Sequence, residues 1–497
     1  MRKTAFLAIC LLAALAGPLD AQTTLTLPQV GGAIRELLST SGLGGATVGV
    51  YVLDVRDGAV IADINSTAPV APASCNKLFT TAAALSLLGP DYRFTTELYA
   101  DGKIANGKLR GDLIVRGGGD PSISGRFETD KRDLTRQMRD WAELLRARGI
   151  LRVTGRLVAD DTIFDREYFH PSWYPKERGE WYEAEIWGLS FNDNCVDILW
   201  SGADLLPGDK ARMTLNPAGS FAKITNTVKV IARGRTGSRY YLRTEKSNDI
   251  LATGTIAVDF TKEDSASVHN CPLFYLSVFR DVLTSAGIVV DGKDTLITPS
   301  RAASYRNRAL KLGARQSPPL GEIIKVVNLN SQNFYADMLA KTLGREKLGS
   351  GSFKAGCAVI RDFCRRNGLE CATQKIDDGS GLSARNRTTA RELAEVIRLI
   401  DQGSLRETWR ASLPVGGQRG TLKSRFQETT ETRAIAGRLW GKTGLIGGVR
   451  SLVGIARNDS GHEMYYAIVV NNFKSDASVV MKFIDSAALI LARSRDD

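Results

Sequence analysis

Between Ala46 and Asn65 apolar and polar residues alternate on both sides of an Asp57-Gly58 pair, the pattern of a β-hairpin closed by a tight turn. Three more strand patterns lie at the opposite end of the chain, at Arg438–Lys442, Gly448–Arg457 and Glu463–Asn472, the last two joined by an Asn458-Asp459-Ser460-Gly461 turn. Helical spacing replaces alternation at Phe334–Lys347, at Phe353–Arg366 before Gly368, at Ala390–Ile400 behind a Thr389 cap, and at Ser478–Arg493. These elements predict an α/β (α+β) domain whose sheet is assembled from both ends of the chain, with a helical layer beside it. From Leu98 to about Gly313 the pattern changes to short strands (LRGDLIVRGGG, LRVTGRLVADD, KITNTVKVIARGR, TGTIAVDF), with helical stretches only near Leu134–Arg148 and Leu273–Ala286. That stretch reads as a large strand-rich insertion. It shows no repeat with a period of about 20 to 50 residues, which argues against a solenoid or propeller.

At one domain per roughly 150 residues, a chain of 497 has room for about three domains, or one with a large insertion. Hydrophobic residues at 43% and charged residues at 24% exclude a disordered, collagenous or membrane-embedded chain. The net charge of +12 is spread singly along the sequence without a basic run or a nucleic-acid module, so nucleic acid is not the expected partner. A scattered basic surface suits an anionic polymer such as a bacterial wall. Residues 1–21 read as a signal peptide: Arg2 and Lys3 form a charged start, Ala5 to Leu15 an apolar run, and Leu19-Asp20-Ala21 a cleavage site. Export to the periplasm or cell wall is therefore expected. The run is too short to span a bilayer and no later one is long enough, so no transmembrane segment is expected in the mature protein. Ile9 before Cys10 is bulky where lipidated cysteines follow a small residue, which argues against lipidation.

Six cysteines remain beyond the signal segment, Cys75, Cys195, Cys271, Cys357, Cys364 and Cys371, and six admit 15 full pairings. Cys357 and Cys364 lie about 10.5 Å apart along one helix, too far for a direct bridge, so buried thiols are expected there. Neither CxxC nor HExxH occurs, and the only histidines are His170, His269 and His462. No metal is expected. Gly117 to Gly119 lack the Gly-Lys-Ser/Thr of a phosphate loop and read as a tight turn, so no nucleotide cofactor is expected. There is no GxSxG elbow, and His462 falls in an apparent surface turn, which disfavours a Ser-His-Asp hydrolase.

Ser74-Cys75-Asn76-Lys77 opens an apolar helix former, LFTTAAALSLLG, so Ser74 and Lys77 face the same side of a helix start. A serine hydroxyl needs an adjacent base, and a lysine serves if burial and a second cation hold it neutral. The same spacing at Ser220 and Lys223 leads into a strand instead, and context favours Ser74. Two further triplets complete a constellation, Ser331-Gln332-Asn333 at a helix start and Lys442-Thr443-Gly444 within a strand that ends in glycines. Ser190-Phe191-Asn192 and Arg235-Thr236-Gly237 show that either triplet arises by chance, and that the ordered set carries the information. A hydroxyl and a carboxamide pass protons and hold a substrate amide, while Lys and Thr offer a cation and a donor to a carboxylate. Gly444 would let a substrate backbone approach the strand.

With these motifs the chain resembles the low-molecular-mass class C penicillin-binding proteins, which are D-alanyl-D-alanine carboxypeptidases and endopeptidases. The likeness extends over nearly all of the mature chain, through PASCNKLFTTAAAL, RGGGDPS, DDTIFD, SFNDNCVDI, DDGSGLSARNRTTARELAEVI, LPVGGQRGTLKSRF and WGKTGLIGGVRSLVG. It implies a penicillin-binding transpeptidase-like domain at 22–97 and 313–497, with an antiparallel five-stranded sheet flanked by helices. It further implies an inserted module at 98–312 made of two nested domains, about 98–123 with 207–312 and about 124–206. By position, the resemblance makes Ser74 the acylated nucleophile, Lys77 its base, Ser331 a proton relay, Asn333 the holder of the substrate amide, and Lys442 a source of field. Thr443 would bind the terminal carboxylate, and the backbone N–H groups of Ser74 and Leu445 would form the oxyanion hole. Many relatives carry a hydroxyl where Leu445 stands, so a second side-chain contact to the carboxylate is expected to be lost. Asp160, in DDTIFD, resembles a residue that meets the free amine of a stem-peptide side chain.

The function so implied is a penicillin-binding serine DD-peptidase that cleaves peptidoglycan stem peptides through an acyl-enzyme and is inhibited by β-lactams. A serine β-lactamase shares the three motifs, but the large insertion and the absence of a deacylating Glu-x-x-Leu-Asn argue against it. A catalytically silent peptidoglycan-binding protein is the remaining alternative.

Overall fold

The computed structural model describes residues 25–369 and 374–496; the signal segment, Cys10 and Cys371 lie outside the described residues. One five-stranded sheet unites the two ends of the chain. Its strands are β1 (Thr47–Asp54), β2 (Val60–Ile64), β3 (Leu439–Ile446), β4 (Val449–Arg457) and β5 (Glu463–Asn471), in the spatial order β3-β4-β5-β1-β2. Every neighbouring pair is antiparallel, and the whole of β1 lies along β5, from Thr47 opposite Asn471 to Asp54 opposite Met464.

The central strands carry near-continuous apolar runs because both faces of the sheet are covered. On β5, Tyr465, Ala467 and Val469 enter one core while Met464, Tyr466, Ile468 and Val470 enter the other, as a period of two requires. The second core is closed by α1 (Leu27–Thr40), through Val30 and Ile34, and by the C-terminal helix Ala477–Arg493, through Phe483, Ala487 and Leu491. The first core is closed by α2 (Lys77–Leu88), α3 (Leu320–Leu329), α4 (Asn333–Leu348), α5 (Phe353–Arg366) and α6 (Ala390–Asp401). The site lies on the layer of helices that closes the first core, where α2, α4 and the outer strand β3 meet.

Several expectations need correction. β3 runs on to Ile446, beyond the bound expected at Lys442, so the whole Lys442-Thr443-Gly444 triplet lies in it as expected and Leu445 does too. Two helices were not expected, α1 and α3, although α3 carries Leu320, Ile323, Ile324 and Val327 on one buried face. In α1 the pair Gly31-Gly32 breaks the pattern, and a Cβ on Gly31 would stand 3.0 Å from the carbonyl of Ile61, so the glycine is there to bring the helix down onto β2. His462 is not in an exposed turn. It is buried, with Nε2 2.9 Å from Asp54 and Nδ1 3.3 Å from Asp496, and ties the first strand to the chain's end.

The insertion enters and leaves through the antiparallel pair Thr95–Ala105 and Leu310–Gln316. These belong to a sheet of seven strands that also takes Lys108–Arg116, Arg152–Val153, Leu157–Asp160, Val289–Val290 and Thr295–Leu296. The remaining strands, from Cys195 to Ser267, form a sheet of three and a sheet of four. The expected division near 123 and 206 does not follow this pairing: Leu157–Asp160, from the supposed inner domain, lies beside Lys108–Arg116, and Cys195–Ser201 lies beside Arg212–Asn216 and Thr261–Ser267. Strand partners set by hydrogen bonds across long loops leave no trace in local pattern. Cys75, Cys195, Cys271 and Cys357 are buried free thiols. No helix among the described residues is long and apolar enough to cross a membrane.

Candidate active site

Ser74 stands in one turn of 3-10 helix, Ala73–Asn76, that leads into α2. From Ala71 to Leu85 every residue is buried except Ser74, which is half-buried. The turn is aimed by Ala73, whose φ of +50° is a left-handed conformation that a non-glycine residue adopts only under constraint. Lys77 is fully buried, and its Nζ lies 2.9 Å from Ser74 Oγ, 2.6 Å from Asn333 Oδ1 and 2.6 Å from the carbonyl oxygen of Ser380. Two of these three partners only accept hydrogen bonds. A neutral amine therefore gives its two N–H groups to Asn333 and Ser380, and its lone pair is left facing the hydroxyl of Ser74. Burial, followed by the nearby cation of Lys442, lowers Lys77 to about 7.

Ser331, at φ +56°, and Asn333 flank the start of α4. Asn333 accepts from Lys77 and donates through Nδ2 to the carbonyl of Tyr182, 2.8 Å away, which leaves its second N–H for a substrate carbonyl. Gln332, between them, donates to Asp193 at 3.1 Å. Lys442 reaches from β3 to Ser331 Oγ at 2.8 Å and to the carbonyl of Thr443 at 2.7 Å. Burial lowers it to about 8. The amine of Lys77 thus joins Ser74 to Asn333, that of Lys442 holds Ser331, and the cation of Lys442 is near enough to act on Lys77, although the three segments lie far apart in sequence.

Gly444 lies opposite Ser451 on β4. A Cβ there would stand 2.1 Å from Ser451 Oγ, 2.6 Å from the carbonyl of Pro72 and 3.3 Å from the Cβ of Ala73, so the space it leaves is filled by the chain itself, not held open for a substrate. Through that gap Ser451 donates to Pro72 at 3.0 Å and contacts the thiol of Cys75, which in turn donates to the carbonyl of Lys442 at 3.3 Å. β3 is the outer strand of the sheet, so alternate N–H groups face away from β4. Leu445 is 65% exposed on it. Thr443 is half-buried, and its hydroxyl donates to that of Thr421 at 2.9 Å.

Asp160 is not part of this assembly. It is wholly buried inside the insertion, bonded to Tyr305 at 2.7 Å and Arg306 at 2.7 Å and to the hydroxyl and N–H of Thr162, and these bonds hold its carboxyl below the usual range despite burial. Its oxygens are committed within the chain, so it has nothing to offer a substrate amine. The chance matches lie elsewhere as well: Ser220 and Lys223 are exposed on the insertion, and Asn192 is spent on Asp197 and the carbonyl of Cys195.

Four contributors escape sequence reading: Ser380, Thr421, Tyr182 and Asp337. Ser380 and Tyr182 act through backbone carbonyls, which residue identity does not encode, and the hydroxyl of Thr421 meets Thr443 only through the fold. The signal for Asp337 is its place one turn beyond Asn333 on α4.

A family model described as the D-Ala-D-Ala carboxypeptidase 3 (S13) family matches residues 30–493. A D-alanyl-D-alanine carboxypeptidase of Actinomadura sp. (strain R39) is 30% identical over 92% of this chain and 84% of its own. The D-alanyl-D-alanine carboxypeptidase DacB of Haemophilus influenzae is 25% identical over 87% of this chain and 86% of its own. The solved penicillin-binding protein 4 (dacB) of Haemophilus influenzae superposes with a TM-score of 0.77 at 22% identity, over 93% of this chain and 99% of that one. A second structure of that protein, complexed with a β-lactam, superposes with a TM-score of 0.72 at 23% identity. The chain accordingly belongs to the D-Ala-D-Ala carboxypeptidase 3 (S13) family, is a low-molecular-mass class C penicillin-binding protein, and is a serine DD-peptidase.

Proposed function

We propose that Ser74 is the residue acylated, and that it attacks the carbonyl between the two D-alanines of a peptidoglycan stem peptide, or the equivalent bond of a cross-link. The observation that carries this reading is the amine of Lys77, 2.9 Å from Ser74 Oγ with its other directions held by two acceptors. The lone pair takes the hydroxyl proton as the Ser74 Oγ–carbon bond forms. The oxyanion is met by the N–H groups of Ser74 and Leu445 on the outer side of β3. As the intermediate collapses, the C–N bond breaks and the proton taken up by Lys77 passes to the leaving amine by way of Ser331, whose hydroxyl Lys442 holds at 2.8 Å, which leaves Lys77 neutral again. Water then attacks the ester, and the acid is released with Ser74 restored.

Asn333 offers its second N–H to the substrate amide. The terminal carboxylate is held by Thr443 under the positive field of Lys442. The second hydroxyl that Leu445 fails to provide comes from Thr421, 2.9 Å from that of Thr443. The protein acts outside the cytoplasm, in the periplasm or at the wall, where its substrate is found.

A labelled penicillin with intact-mass detection tests the assignment. One stable adduct per chain is expected on the native protein and none on Ser74→Ala; an equal adduct on Ser74→Ala, or none on either, overturns it. Rapid loss of the adduct with release of hydrolysed drug marks a β-lactamase instead.

A further inference from the structure

The turn Asp378-Gly379-Ser380-Gly381 supplies one of the two fixed acceptors on Lys77, through the carbonyl of Ser380. Nothing in that turn is regular secondary structure, yet it is held from the two helices that carry the base and the carboxamide. On α2, Thr80 lies one turn beyond Lys77 and its hydroxyl donates to the carbonyl of Gly379 at 2.6 Å. On α4, Asp337 lies one turn beyond Asn333, and its Oδ1 accepts the N–H of Gly379 at 2.8 Å and that of Ser380 at 3.1 Å. Both side chains are wholly buried. The peptide between residues 379 and 380 is thereby gripped on both sides, which fixes where the next carbonyl points.

Gly381 continues the fit. Its φ is +81°, and a Cβ on it would stand 1.9 Å from the carbonyl of Ala73, so the turn presses on the backbone just before the nucleophile. Asn76, on the same 3-10 turn as Ser74, donates to the carbonyl of Asp378 at 2.9 Å.

We infer that Asp337, seconded by Thr80, is a positioning residue for the general base: by gripping the Gly379-Ser380 turn it holds the Ser380 carbonyl on Lys77 and so aims the lone pair of Lys77 at Ser74. This rests on the reading of Ser74 as the nucleophile and Lys77 as its base. The role depends on an acceptor oxygen at position 337, not on its charge. An amide keeps the oxygen and so keeps the grip, whereas alanine leaves two N–H groups without a partner and frees the carbonyl.

The sign of the accompanying pH effect is fixed. A carbonyl oxygen stabilises the ammonium form, so its departure lowers the pH at which Lys77 becomes neutral. Asp337 also faces Lys77 as a charge that raises it, and Asp337→Asn and Asp337→Ala lose that charge alike, so the difference between those two variants reports the grip on the turn; Asp378, Lys442 and Cys75 are unchanged in every variant.

The experiment measures the rate of penicillin acylation against pH by intact mass for the native protein, Asp337→Asn, Asp337→Ala and Thr80→Val, with thermal unfolding of each. The expected result is a native rate within about threefold for Asp337→Asn and a loss of tenfold or more for Asp337→Ala, with its acid limb displaced to lower pH than that of Asp337→Asn. Thr80→Val, close to isosteric, is expected to lose about threefold or more with a displacement of the same sign, and it serves if Asp337→Ala does not fold. Native-like acylation at all pH values by folded Asp337→Ala or Thr80→Val overturns the inference. So does a loss with no movement of the acid limb and no rescue by Asn, which marks a merely structural role. Absence of an adduct on the native protein sinks the peptidase reading itself, a result separate from either.

Discussion

In the proposed reading, Lys77 is the residue on which the chemistry turns. Holding a lysine near 7 instead of its ordinary 10.5 costs on the order of 4 to 5 kcal/mol, which the surrounding fold supplies. Under the proposal the two lowered lysines have opposite duties, and these set the expected pH dependence. Lys77 must be neutral to accept a proton, so turnover rises as pH climbs through about 7; Lys442 must stay charged to attract a carboxylate, so turnover falls as pH climbs past about 8. D-Ala release measured from pH 5 to 10 should give a narrow bell between those values, and a flat profile would contradict the assignments. At the same scale, Thr421→Val removes a hydroxyl beside Thr443. It should raise KM for peptides ending in a free carboxylate by about threefold to tenfold, at the order of 1 kcal/mol for one hydrogen bond, with little change for a substrate amidated at that end.

Elements place these residues through contacts that a side chain elsewhere in the strand would prevent. β3 approaches the nucleophile turn because Gly444 has no Cβ, and Ser451 of β4 reaches through the gap to Pro72 and Cys75. Gly444→Ala should lower stability by about 1 to 3 kcal/mol, as overpacking does, and slow acylation more than it lowers the melting temperature would suggest, because Pro72 and Ala73 must move. Ser451→Gly in the same chain removes the nearest clash, at 2.1 Å, and should restore part of the loss. The strand patterns and four of the helices were readable from alternation and helical period, since both faces of the sheet are covered by amphipathic helices. The Lys-Thr-Gly triplet was readable as chemistry, but the use of its glycine was not: only the register that sets Gly444 opposite Ser451 shows that the gap serves the protein's own turn.

Across the whole molecule, the insertion reaches back to the site. Tyr182 holds Asn333, Trp173 donates its indole N–H to Asp378 at 2.9 Å, and Ser172 bridges Asp377 and Ser383 at 2.8 Å and 2.7 Å. A segment that looks like an added module therefore braces the turn behind the base. Trp173→Phe keeps most of the buried ring and removes one donor to a buried carboxylate, so a stability loss of about 1 to 3 kcal/mol is expected, together with slower acylation of Ser74. Denaturant midpoints and adduct rates check both; unaltered acylation would show that the insertion is independent of the site. From the sequence alone came the sheet built from both chain ends, the three motifs in order, and the family they resemble, because residue type and local spacing suffice for these. Only the tertiary structure decided that Asp160 is sealed within an ion pair, that Thr421 stands beside Thr443, and that the carbonyl of Ser380 meets Lys77 while Asp337 grips its turn. Backbone carbonyls carry no residue signature, and the pairing of distant segments is set by how two layers of helices and an inserted sheet pack together.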